Sequence, residues 1–85
     1  MKVLHIIRSN DDRLAHKLID EIGHTDDADQ TLLMIQDGVY IRPEGLRAFA
    51  CADDIRARAV ETDLPLVGYD QIVDMIFEHD RVITW

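Results

Sequence analysis

The single cysteine, Cys51, follows an apolar run and precedes the acidic pair Asp53-Asp54. A strand is expected to end there and a helix to begin. The free N–H groups and dipole of a helix N-terminus lower a thiol pKa. Arg47, Arg56 and Arg58 add positive charge nearby, while Asp53 and Asp54 oppose it. A thiolate so placed is suited to nucleophilic attack and thiol exchange. The competing reading is a small buried core cysteine, because free Cys is among the most buried residue types.

Other residues with chemical potential are fewer. His5 lies inside an apolar run, as a core histidine bonded to a neighbour or as support beside a reactive sulfur. Gln36-Asp37-Gly38 follows the apolar stretch Leu32–Ile35 and reads as a turn. Gly tolerates φ > 0 there, and Asp bonds its local backbone. Ligands gather at the carboxyl ends of strands in open α/β sheets. Gln36 and Asp37 are thus candidates to shape a pocket, beside a purely structural reading of the turn. His16, Asp20 and His24 fall at four-residue spacing, but Gly23 is expected to break the helix before His24. A solvated face is the preferred reading, so neither a metal site nor a cofactor is expected. Tyr40 and Trp85 are candidate interface anchors; Trp85 packed on its own domain is the alternative.

The elements that position these residues follow from the apolar pattern. Val3–Ile7 reads as a first strand. Leu14, Leu18, Ile19 and Ile22 recur at helical spacing, so residues 13–22 read as an amphipathic helix closed by Gly23. Residues 31–35 form a second strand, whose unbroken apolar run suits a strand covered on both faces. Residues 40–45 form a loop. Leu46–Cys51 is a third strand, and Asp53 or Asp54 caps a helix reaching Val60. Residues 64–67 form a short fourth strand, with Pro65 suggesting an edge or a strand start. Asp70 caps a last helix whose apolar face is Ile72, Val73, Ile76 and Phe77. Arg81–Trp85 is the final strand. Strands alternating with helices predict one small α/β domain over residues 1–85, a mostly parallel, doubly wound sheet of about five strands with helices on both faces.

Composition narrows the function classes. The 85 residues allow one domain with a thin core, which favours association. No run of about 18 apolar residues exists, and the first apolar run is too short for a signal peptide. One cysteine cannot form an internal disulfide, as expected of a reducing cytoplasm. Net charge is −8, from 17 acidic against 9 basic residues, which argues against nucleic-acid binding through a basic face. Thirteen aspartates stand against two lysines. That surface is either halophilic, with self-repulsion screened by a salty cytoplasm, or an ordinary acidic one.

With these elements placed, three segments resemble the TusB/DsrH family of small sulfur-relay subunits, relatives of TusD/DsrE. Leu4-His5 followed by Arg8-Ser9 is similar to that family's opening strand and turn. Leu32-Leu33-Met34-Ile35-Gln36-Asp37-Gly38-Val39 resembles its most recognisable strand and turn. Asp53-Asp54-Ile55-Arg56-Ala57-Arg58 followed by Val60 resembles the helix after its third strand. The Tyr69-Asp70 helix start and Trp85 also fit. The resemblance implies a DsrE-like fold and the passage of persulfide sulfur between protein cysteines, toward tRNA wobble-uridine 2-thiolation in the TusB branch and toward sulfur oxidation in the DsrH branch. It implies sister subunits, an upstream persulfide donor protein and assembly into an oligomer. Cys51 lies seven residues before Arg58, the spacing of the active cysteine to an arginine in TusD/DsrE-like subunits. That makes Cys51 the candidate sulfur carrier, with His5, Gln36, Asp37 and Arg58 in support.

The chain also departs from the family. The segment between Gly38 and Leu46 is short, so an interface helix is expected to be missing. Ala59 stands where a Gly is usual. His16-Lys17 stands where some members carry a Cys in the first helix, and TusB proteins generally lack the carrier cysteine. A non-catalytic scaffold subunit and a stand-alone oligomer of unknown ligand therefore remain as alternatives.

Overall fold

The computed structural model describes residues 1–11, 13, 17, 18, 20, 21, 29–43 and 45–85, with residue 29 described by its backbone alone. Five strands, β1 (Lys2–Ile7), β2 (Asp29–Met34), β3 (Ala48–Cys51), β4 (Leu66–Val67) and β5 (Arg81–Thr84), form one sheet. Their order is β4-β3-β2-β1-β5. Every pairing is parallel, from β1 on β2 and β5 to β3 on β2 and β4. The chain steps outward from β1 to β4 and then crosses back to place β5 on the far side of β1. That reversal defines a doubly wound sheet and fixes which face each crossover covers.

Alternation along the strands divides the core in two. Leu4, Ile6, Leu33 and Val67 cluster on one face, with Phe49, Ile72 and Met75 packed against them. Ile7, Leu32, Met34, Ala48, Ala50 and Ile55 cluster on the other, with Val39, Val60 and Trp85. Leu32, Leu33 and Met34 are wholly excluded from solvent, as expected of a central parallel strand covered on both faces. Each such side chain contributes about 2 kcal/mol of transfer free energy. The helix Ala52–Ala57 covers the second face through Ile55, and the helix Tyr69–Glu78 covers the first through Ile72 and Met75.

Several boundaries differ from expectation. β3 starts at Ala48 rather than Leu46, and β4 is two residues long. The helix after Cys51 stops at Ala57, because Ala59 turns left-handed at φ 50°. Glycine suits such a helix end without a Cβ conflict, so alanine sits there under local strain. Gly68, not Asp70, precedes the last helix, and its N–H donates to Gln71 Oε1 at 2.8 Å. Among the residues of the expected first helix, Arg13, Lys17, Leu18, Asp20 and Glu21 are helical; its remaining positions lie outside the described residues.

The largest correction concerns the apolar face of the last helix. Ile72 packs in the core as expected, but Val73, Ile76 and Phe77 are exposed, and Met75 replaces them against the sheet. The spacing shows that an apolar arc exists. Only the crossover direction decides which part of the arc meets the sheet.

Candidate functional site

The turn after β2 and the helix after β3 meet at the carboxyl edge of the sheet. A 3-10 turn, Gln36–Tyr40, follows β2 directly. Ile35 N–H donates to Ile7 O at 3.0 Å, which ties the turn to the end of β1. Gln36 takes a left-handed conformation, φ 50°. Its N–H donates to Asp54 Oδ2 at 2.8 Å, so the carboxylate of the neighbouring helix holds this strained residue.

The glycine of the turn is there for a different reason from the one expected. A Cβ on Gly38 would lie 2.1 Å from Ile7 O. Glycine is therefore required for close approach to β1, and the left-handed residue is Gln36. Asp37 likewise points outward rather than closing on its own turn: its Oδ1 accepts from Arg58 Nε at 3.1 Å.

Arg58 is the hub of the cluster. Besides Asp37, it donates from Nη1 to Asp54 Oδ1 at 3.3 Å. The two carboxylates hold the guanidinium between the turn and the helix, and the hydrogen bond that Arg58 donates to Asp37 raises the Arg58 pKa above its ordinary value. Asp54 thus joins two groups, the Gln36 amide and Arg58, and its carboxylate and backbone amide both act on the pKa of the neighbouring Cys51 thiol. Cys51, Asp54 and Arg58 stand at positions i, i+3 and i+7, which one helix face brings together. That spacing is the signal for Asp54, which sequence reasoning treated only as a cap and an opposing charge.

Cys51 itself ends β3 and precedes the first helical residue, as expected. Its electrostatics run the other way. The thiol is 3% exposed, and burial pushes its pKa above the ordinary value of 9.0. The Asp54 and Asp53 backbone amides lower it, as a helix start should, but the Asp54 carboxylate raises it by hydrogen bond and charge. The net direction is upward, so the resting group is a neutral thiol rather than the thiolate expected from position alone.

His5 belongs to a separate cluster. It is buried on β1, its Nε2 bonded to Gln30 Oε1. Trp85 Nε1 donates to His5 Nδ1 at 3.1 Å. An indole N–H only donates, so Nδ1 is an acceptor and the ring proton sits on Nε2, facing Gln30. Trp85 packs on the core of its own domain, whereas Tyr40 is exposed at the end of the 3-10 turn. The residues between Gly38 and Leu46 include no α-helix among the described positions.

Among the described residues no cluster of three His, Cys, Asp or Glu side chains is placed to hold a metal. His16 and His24, two of the three spaced candidates, lie outside those residues. A cavity of about 270 Å³ opens between the last helix and the sheet, lined by Arg47, Phe49, Asp74, Glu78 and His79 among others. It includes none of the candidate residues of the carboxyl edge. Among the described residues no helix is long and apolar enough to cross a membrane.

No family model matches the chain, and no curated protein matches it. The fold and the site together define a class: a small doubly wound α/β domain with a guanidinium clamped between two carboxylates beside a buried thiol at the carboxyl edge of its sheet.

Proposed function

We propose that this chain is a cytoplasmic subunit of a sulfur-relay assembly of the TusB/DsrH kind, with Cys51 as acceptor of persulfide sulfur. The observation that carries the reading is the clamp of Arg58 on Asp37 and Asp54 at the edge where Cys51 ends its strand, the four residues lying 3 to 21 positions apart in sequence. The segment resemblance supplies the class of chemistry. In the transfer step the Cys51 thiol gives its proton to the Asp54 carboxylate. The sulfur attacks the terminal sulfur of a donor protein's persulfide. A new S–S bond forms at Cys51 as the donor's S–S bond breaks, and the donor leaves as a thiolate that takes up the proton. No external oxidant or reductant is consumed. Donor docking has to uncover the buried thiol, and the clamp of Arg58 on Asp37 and Asp54 is the contact that opens. The sulfur then passes to sister subunits and onward to tRNA wobble-uridine thiolation, since a net charge of −8 disfavours direct tRNA binding.

Burial of Cys51 and its raised pKa favour a second reading, a structural subunit that completes an oligomer without carrying sulfur. Intact-mass measurement separates the two. The native protein is incubated with inorganic polysulfide and, separately, with a persulfidated carrier protein. The carrier reading expects one added sulfur atom on the wild type and none on Cys51→Ser. Asp54→Asn retains an acceptor for the Gln36 amide but cannot take the proton as a carboxylate, and should load more slowly. Absence of sulfur from the native protein with both donors, with Cys51→Ser fully supporting thiolation in cells, establishes the structural reading instead.

A further inference from the structure

The helix Tyr69–Glu78 contains no buried residue, although four of its side chains form an apolar stripe. Tyr69, Val73, Ile76 and Phe77 stand at i, i+4, i+7 and i+8 and are 69, 49, 39 and 83% exposed. At about 100° per residue they share one flank of the helix. Ile72 and Met75, on the adjoining part of the circumference, already contact the sheet. The apolar arc from Met75 round to Phe77 therefore spans about 200°, twice what a one-sided surface helix needs. Its inner half is covered by this chain and its outer half is not.

The sheet beneath is open on the same side. Val82 is paired with Leu4 and shares its face. Leu4 is fully buried in the cluster under the helix, whereas Val82, one strand further out, is 38% exposed. The helix thus leaves the β5 end of its own sheet face uncovered. A stripe and an open strip of sheet lie side by side, each lacking a cover of the shape the other provides.

We infer that this surface is an interface with a second copy of the chain. Two copies related by a two-fold axis bring their helices side by side between the two sheets. Each helix then lies over the partner's exposed β5 strip, and Phe77 reaches the partner sheet. The contact is isologous, so one apolar patch serves as both halves. The area is sufficient. Tyr69 and Phe77 alone present on the order of 300 Å² of side-chain surface per copy, given roughly 150–250 Å² for an aromatic side chain. With the three aliphatic residues each copy contributes about 500 Å², so a dimer buries about 1,000 Å², the threshold of a specific interface.

The stripe itself is compatible with contact between copies. All four stripe residues are uncharged, and the acidic residues of the helix, Asp70, Asp74 and Glu78, lie outside the stripe. Nothing on the patch recruits a basic or acidic partner. Asp70, Asp74 and Glu78 border the Phe77 edge of the stripe, and the repulsion they add between copies is screened over about 8 Å at physiological ionic strength. This interface does not depend on sulfur chemistry at Cys51.

The test is sedimentation equilibrium over a wide concentration range in about 0.15 M salt. Wild type should populate a dimer. Phe77→Glu and Val73→Glu should each weaken self-association at least tenfold while retaining the wild-type circular dichroism, because both side chains are exposed. Tyr40→Ser and Leu66→Glu, also at exposed positions but away from the stripe, should leave the dimer intact. A wild-type monomer throughout, or a dimer that survives the Phe77→Glu, Val73→Glu double substitution, overturns the inference. So does a dimer lost only in Tyr40→Ser or Leu66→Glu, which places the contact elsewhere. Sulfur loading of Cys51 is measured separately, and its failure leaves this result unaffected.

Discussion

The indole N–H of Trp85 donates to Nδ1 of His5 across 80 positions of sequence, at 3.1 Å. The two rings are inclined by only 20° with centroids 6.2 Å apart, the geometry of an edge-to-edge bond rather than a close stack. The contact locks β5 to β1 at the side-chain level, beside the Trp85 N–H to Ile6 O bond at 2.9 Å. It also fixes the histidine tautomer.

Replacing the indole tests that lock. Trp85→Phe keeps an aromatic side chain against the core but removes the donor, leaving His5 Nδ1 unsatisfied and partly buried. The expected loss is about 1–2 kcal/mol in urea unfolding. The nitrogen spectrum of His5 should show the Nε2–H tautomer in wild type and a mixture in the variant. An unchanged midpoint and spectrum would refute the assignment.

Gly38 cannot take a side chain without a shift of backbone. Its Cβ position falls 2.1 Å from Ile7 O and 2.8 Å from Ile7 C, both backbone atoms that cannot rotate away. Gly38→Ala must displace the 3-10 turn from β1 and should cost about 3 kcal/mol, the upper end of overpacking penalties. Because the turn carries Gln36 and Asp37, the Arg58 clamp should loosen too. Faster amide exchange at Gln36 is the accompanying sign.

Alkaline pH should expose the state of Cys51. Its folded pKa is raised, chiefly by burial, so the native state favours the neutral thiol. Below the ordinary value of 9.0 both states are neutral and the contribution is fully present. As pH rises past that value the unfolded chain ionises first, and stability is lost until the folded pKa is passed. Wild type should therefore lose more stability than Cys51→Ser between about pH 8 and about pH 10, with the other titrating groups common to both. A parallel pair of curves would contradict the upward shift.

Salt should stabilise the fold. Thirteen aspartates against two lysines leave a self-repelling surface at low ionic strength. Raising salt from about 10 mM to about 1 M shortens the screening length from about 30 Å to about 3 Å. The melting temperature should climb by about 5 °C, the equivalent of roughly 1 kcal/mol in a domain this size. A flat or falling trend sinks the halophilic reading of the composition.

The sequence by itself determined the kinds of element and their order. Apolar runs such as Leu32–Met34 are buried strands because no water-facing side can accept three successive large aliphatic residues. Strand–helix alternation then implied parallel crossovers, and the turn at Gln36–Gly38 was legible from its residue types. The tertiary structure decided what depends on neighbours distant in sequence. Gly38 is needed because the β1 backbone passes against it, and Asp37 serves Arg58 rather than its own turn. The pKa of Cys51 rises because the surrounding fold buries it, a desolvation that outweighs the local helix-start amides. Periodicity marked Val73, Ile76 and Phe77 as apolar, but the direction of one crossover set which flank of that helix meets the sheet and which stays exposed. Local pattern records a side chain's chemistry. Its partner is fixed only when the remote strands close around it.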